Sequence, residues 1–205
     1  MDFQYFILAF TSIFSILNPF GAVPVFISLT ESYPRKERDL VAKRTVIYAL
    51  AILLAFTLFG EWILKFFGIS LDAFKIAGGI LLLLISLDMV RGQQEAKIHR
   101  KEIEAAYEID EIALMPLATP LLAGPGSITA CMVAMAEASD IGDKFLVILA
   151  IFISLGITYL TLLSAEKLLD RIGKLGIRIL TRMMGFILTA IAVQMIVSGI
   201  KGALL

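Results

Sequence analysis

Leu17-Asn18-Pro19-Phe20-Gly21-Ala22-Val23-Pro24 interrupts a long apolar run with two prolines and a glycine. Further along, Ala118-Thr119-Pro120-Leu121-Leu122-Ala123-Gly124-Pro125-Gly126-Ser127 repeats the arrangement. In each stretch the prolines stand five positions apart, the first follows a small polar residue (Asn18, Thr119), and a glycine (Gly21, Gly124) lies between them. A proline has no N–H and crowds the carbonyl one turn back, and it pushes the residue before it toward extended backbone. A continuous helix is therefore not expected through either stretch. Inside a bilayer, unwound backbone persists only where protein buries it or where it lines a polar cavity. The two stretches are read together as one binding site.

Composition supplies the membrane. Apolar residues make up 59% of the 205-residue chain and mean hydropathy is +0.91, against an apolar share of roughly 45–50% in soluble domains. Charge-free runs cover Phe3 to Thr30, Thr45 to Gly60, Ile76 to Leu87, Ile112 to Ala136, Phe145 to Ala165 and Met183 to Ile200. With snorkelling ends, these approach the roughly 20 residues of a spanning helix. The expected fold is an all-α integral membrane protein with six transmembrane helices, residues 1–205 forming a single transmembrane domain. The first run is too long for a signal peptide and lacks a basic segment before it, so it is expected to remain as span 1. One cysteine, Cys131, and one histidine, His99, exclude an intramolecular disulfide and argue against a metal site. Zero net charge gives no reason to expect nucleic acid as a partner. No Ser/His/Asp set or phosphate-binding glycine loop is present, so an enzyme is the least expected reading and no cofactor is implied.

Between the breaks the chain reads simply. Glu31 to Arg44 is expected as a charged loop, and span 2 ends near Phe67, where Glu61 and Lys65 share a helix face beside an aromatic belt of Trp62, Phe66 and Phe67. In span 3, about Asp72 to Arg91, Lys75 is expected to reach outward along its stem. Asp88 lies one turn from Arg91 and is expected to pair with it at the interface, although a carboxylate within a span is a functional candidate by default. Gly78 and Gly79 mark close helix approach. Residues 93–111 form a charged cytoplasmic connector. Glu166 to Arg182, with Leu168, Leu169, Ile172 and Leu175 set among Lys167, Arg171 and Lys174, reads as a helix on the membrane surface.

Fourteen of the eighteen Lys and Arg residues fall in the loops after spans 1, 3 and 5. That bias puts these loops in the cytoplasm and both termini outside the plasma membrane, the inner membrane of a two-membrane cell. Re-entrant hairpins in place of spans 1 and 4 would spread the same charges eleven to seven. Residues 3–92 and 112–202 each then read as a broken span, a plain span and a glycine-containing span. Lys75-Ile76-Ala77-Gly78 opens the third member of one, Arg182-Met183-Met184-Gly185 that of the other. Three crossings per unit insert the second unit upside down. The plan is two inverted three-helix repeats, with the first and fourth helices broken at mid-membrane.

Half-helices beginning after Gly21 and after Gly124-Pro125-Gly126 would present free N–H groups and a positive dipole end to an anion such as a carboxylate. The halves ending near Leu17 and Ala118 would present carbonyls to an ammonium or a cation. The substrate-binding set is Asn18, Pro19, Gly21, Thr119, Pro120, Gly124, Gly126, Ser127 and Thr129. It suits a zwitterion with a small uncharged side chain, such as glycine, alanine, serine or threonine, because no buried full charge is at hand to pair with a charged one.

On these two motifs, Asn-Pro-x-Gly at Asn18, Pro19 and Gly21 and Thr-Pro-x3-Gly-Pro-Gly at Thr119, Pro120, Gly124, Pro125 and Gly126, the chain resembles the MarC family of membrane proteins over its whole length. That family includes the SnatA-type small neutral amino acid transporters. The resemblance implies transport of small neutral amino acids such as glycine and alanine, with sodium or a proton as coupling ions the sequence leaves open. A passive channel or facilitator for a small neutral solute is the competing reading, and a membrane scaffold is a third. Oligomeric state is left open, a homo-oligomer included.

Overall fold

The structure is a computed structural model that describes residues 3–92 and 108–204. The greater part of the connector, with His99, lies outside the described residues. Among those residues every element is helical: α1 (Phe3–Leu17), α2 (Pro19–Thr30), α3 (Arg35–Phe67), α4 (Leu71–Arg91), α5 (Ile109–Leu122), α6 (Pro125–Glu137), α7 (Ile141–Leu163) and α8 (Ala165–Leu204). Five stretches are long and apolar enough to cross a membrane: Phe3–Thr30, Arg35–Phe67, Leu71–Arg91, Ile141–Leu163 and Leu175–Leu204. A sixth arises when α5 and α6, bent by 59° at their junction, are taken together.

Local chemistry explains the boundaries and corrects three expectations. The charged segment after α2 is mostly helical, because extended Pro34 leads into α3 at Arg35 and Glu37 in its first turn complements the helix dipole. At the other end of α3, Gly68 adopts φ 65°, and the N–H groups of Gly68 and Ile69 close onto the carbonyls of Lys65 and Leu64. The segment expected on the membrane surface is not one continuous helix. Gly173, at φ 68° and ψ 171°, interrupts it within α8, and the stretch apolar enough to cross runs from Leu175 rather than from Met183. Lys75 does not reach outward. It is only 9% exposed, and its Nζ donates to Glu137 Oε1 at 2.6 Å, with Asp72 Oδ1 at 4.0 Å. An ammonium this far inside protein needs carboxylates beside it, and the C-terminal end of α6 supplies one. Glu61 and Lys65 do pair, at 2.7 Å, and Trp62, Phe66 and Phe67 stand exposed around them.

Helix α4 packs along α8 more extensively than any other pair. Glycines allow it. A Cβ on Gly79 would lie 2.9 Å from the Ala192 carbonyl oxygen, and one on Gly199 would lie 2.7 Å from that of Asp72. Most of the other contacts fall into matched sets: α1 and α2 lie on α7 as α5 and α6 lie on α3, α2 touches α8 as α6 touches α4, and α3 touches α7. Their shared core is aliphatic, with Ile13, Leu53, Leu117 and Ile151 fully enclosed. Helix ends meet in two groups. At one, the Tyr5 hydroxyl donates to the Ala134 carbonyl and Lys75 meets Glu137. At the other, Arg38 bonds Glu166 and the Tyr48 hydroxyl donates to Asp110 Oδ1 at 2.8 Å.

Candidate functional site

The first interruption is a single residue wide. Asn18 takes the left-handed conformation (φ 47°, ψ 63°), which an asparagine tolerates better than most residues. Its N–H still bonds the Phe14 carbonyl at 3.1 Å and its own carbonyl accepts the Ala22 N–H at 3.2 Å. The side chain caps α2, with Oδ1 accepting the Gly21 N–H at 3.1 Å. Gly21 makes room for this, since a Cβ there would lie 2.1 Å from Asn18 Nδ2. Helix α2 therefore starts at Pro19, not after Gly21, and carries Pro24 within it. The correction matters chemically: Pro19 has no N–H and Asn18 occupies that of Gly21, so this helix start offers few free donors.

The second interruption is wide. Met115 and Thr119 are both extended, each preceding a proline (Pro116, Pro120) that disfavours helical backbone at its neighbour. The Ala123 N–H bonds the Ala118 carbonyl at 2.7 Å, and Gly124, at ψ 175°, turns the chain into α6 with Pro125 in its first turn. No side chain caps α6. The N–H groups of Gly126 and Ser127 precede the first intrahelical bonds, so they lack helical acceptors. Gly124 is pinned by backbone, because a Cβ there would sit 2.2 Å from the Pro120 carbonyl oxygen.

Between the two interruptions lies a cavity of about 220 Å³, walled by α1, α2, α4, α5, α6 and α8. Six of the nine expected residues line it: Asn18, Gly21, Pro120, Gly124, Gly126 and Ser127. The other three are not on its wall. Pro19 is buried at the start of α2, and the buried Thr119 hydroxyl has no hydrogen-bond partner. Thr129 donates to the Pro125 carbonyl at 2.8 Å and packs where a Cβ on Gly78 would strike it.

Two contributors stand out less in the sequence than in the structure. Pro116 lines the cavity and adds its own extended residue to α5; its spacing four before Pro120 is the available signal. Asp88 also stands on the cavity wall, beside Met89, whose Sδ receives Asn18 Nδ2 at 3.5 Å. The signal there is a carboxylate inside a span, which the neighbouring Arg91 obscures. Ligand pockets for drug-sized molecules run to roughly 300–1,000 Å³, so a space of this size selects something smaller.

A more open cleft of about 430 Å³ lies between Tyr33, Arg44 and Asp110 at the helix ends. Burial, and then the charge of Glu37, push the Tyr33 phenol above its usual range there. The cleft borders Glu108, where the described residues resume, and its wall is that of a surface groove rather than an enclosed site.

The pattern of the MarC family of integral membrane proteins matches residues 3–204. The chain is 93% identical over 205 residues to UPF0056 membrane protein MJ1677 of Methanocaldococcus jannaschii, covering all of both chains. It is 44% identical over 199 residues to UPF0056 membrane protein PH0760 of Pyrococcus horikoshii, covering 97% of this chain and 95% of that one. It is 35% identical over 204 residues to UPF0056 membrane protein YvbG of Bacillus subtilis, covering 98% and 97%. No solved structure matches the chain.

Proposed function

The chain belongs to the MarC family of integral membrane proteins, and from that premise we propose that it is a secondary transporter of small neutral amino acids, holding its substrate between two helices broken at mid-membrane. The observation that carries this reading is the cavity in which Asn18 and Gly21 of one interruption meet Pro120, Gly124, Gly126 and Ser127 of the other. Residues a hundred positions apart in sequence, singled out for the same backbone chemistry, share one cavity. The uncapped start of α6 offers backbone donors suited to a carboxylate, and the small volume favours the glycine, alanine, serine and threonine class.

The matched contact sets favour the inverted-repeat plan. Exchanging α1–α2, α3 and α4 for α5–α6, α7 and α8 turns most contact pairs, the most extensive ones included, into another that also exists; the lighter contacts of α1 with α8, α6 with α7 and α7 with α8 have no such counterpart. Both groups of helix ends agree with six crossings, with Lys75, Glu137 and Tyr5 on the outer face and Arg38, Asp110 and Glu166 on the cytoplasmic face. Alternating access would then rock one repeat against the other around the cavity.

The test is counterflow in proteoliposomes holding purified protein. Vesicles preloaded with unlabelled alanine are expected to accumulate labelled alanine transiently and saturably, with glycine and serine competing. Linear, non-saturable equilibration would indicate a passive facilitator, and no movement of any neutral amino acid would overturn the reading.

A further inference from the structure

Asp88 deepens the transport reading and rests on it. We propose that Asp88 is the ammonium-binding residue of the cavity, and that it restricts the site to small ligands bearing a protonated amine. Three observations converge. Among the described residues, Asp88 is the one charged residue on the cavity wall. Beyond it the wall holds two polar side chains, Asn18 and Ser127, and otherwise aliphatic residues, methionine, glycine and proline. The Asn18 amide is already oriented: its Oδ1 is taken by the Gly21 N–H, and its Nδ2 rests against the weak sulfur acceptor of Met89.

Each group has a different capacity. An ionised carboxylate only accepts hydrogen bonds, and the Asn18 amide nitrogen only donates. The uncapped N–H groups of Gly126 and Ser127 are donors too. A zwitterion entering this space therefore has one charged acceptor for its ammonium and several donors for its carboxylate. Its orientation follows, with the amine toward Asp88 on α4 and the carboxylate toward Asn18 and the start of α6. An ammonium brought beside this carboxylate makes a charge-assisted contact that an uncharged hydroxyl does not, which couples affinity to the amine. The site thus recognises the backbone of an amino acid by charge and its side chain by the volume left over.

The experiment measures binding by calorimetry to purified wild-type protein and to Asp88→Asn and Asp88→Glu variants. The probes are L-alanine, L-lactate, which replaces the ammonium with a hydroxyl, and ethylamine, which keeps the ammonium and lacks the carboxylate. Wild type is expected to bind alanine at least tenfold more tightly than lactate, and ethylamine more tightly than lactate. Asp88→Asn is expected to lose at least tenfold in alanine affinity with lactate unchanged or improved, and Asp88→Glu to retain the preference for alanine. A purely structural residue would weaken both ligands together. Equal loss for both, an unchanged alanine-to-lactate ratio in Asp88→Asn, or tighter wild-type binding of lactate than of ethylamine overturns the assignment while leaving the transport reading intact. The wild-type comparison decides even if the asparagine variant does not fold. Failure of wild type to bind alanine, glycine or serine overturns both.

Discussion

The two interruptions are built from the same ingredients and fold differently. At the first, one left-handed residue suffices, and Phe3–Thr30 still reads as a single apolar stretch. At the second, two extended residues and a glycine turn the chain through 59°. The residue before the proline makes the difference. Asn18 places an amide where it caps the next helix, so the chain resumes at once. Thr119 makes no such bond, and Pro116 upstream has already loosened the turn before it. One interruption is closed by its own side chain; the other is left open toward the cavity. What a pair of prolines does to a membrane helix thus depends on whether a neighbour can satisfy the backbone groups they free.

The largest effect is expected at the open break. In Gly124→Ala the new Cβ meets the Pro120 carbonyl oxygen, which is backbone and cannot swing aside. Alanine transport in proteoliposomes should fall to background, while the variant inserts and keeps its helix content by circular dichroism. Near-normal transport would mean that the wide turn is not the site. At the closed break the obstacle is a side chain. Gly21→Ala displaces the Asn18 amide and is expected to weaken alanine binding about tenfold, or about 1.4 kcal/mol, within the range lost with a helix cap. Asn18→Ala should cost a similar amount, and the double variant should be no worse than either, since both remove one interaction. Additive losses would separate the glycine from the cap and undo the contrast. The smallest effect belongs to Pro24→Ala. Pro24 is not on the cavity wall, and its replacement restores a helical donor for the Phe20 carbonyl. The net gain of about 1 kcal/mol should raise the thermal midpoint by about 2–4 °C without altering alanine affinity. A fall in affinity would show that the first helix also depends on its proline kink.

Much of the fold is legible in the residues alone. The apolar runs, the stretches around Asn18 and Gly124, and the close approach at Gly78 and Gly79 all follow from the absence of water in a bilayer. That absence leaves long helices as the solution and makes each proline or small residue conspicuous. Partnership is not legible in the same way. In sequence Lys75 looks free to reach outward, because Glu137, sixty-two positions away, comes beside it only through packing. Asp88 reads as an interfacial neighbour of Arg91, whereas its place on the cavity wall depends on α4 lying against α6 and α8. The start of α2 falls earlier than the glycine suggests for a similar reason, since a proline's steric effect is local but the Asn18 cap that limits it is a matter of side-chain geometry.

The sequence by itself determined the helices, their apolar faces and where backbone hydrogen bonding must fail, because these depend on residues within a turn of one another. The tertiary structure alone decided which freed groups face one another, which are capped, and which charge borders the space between them. Those outcomes depend on how separate helices dock, and no spacing along the chain encodes that directly.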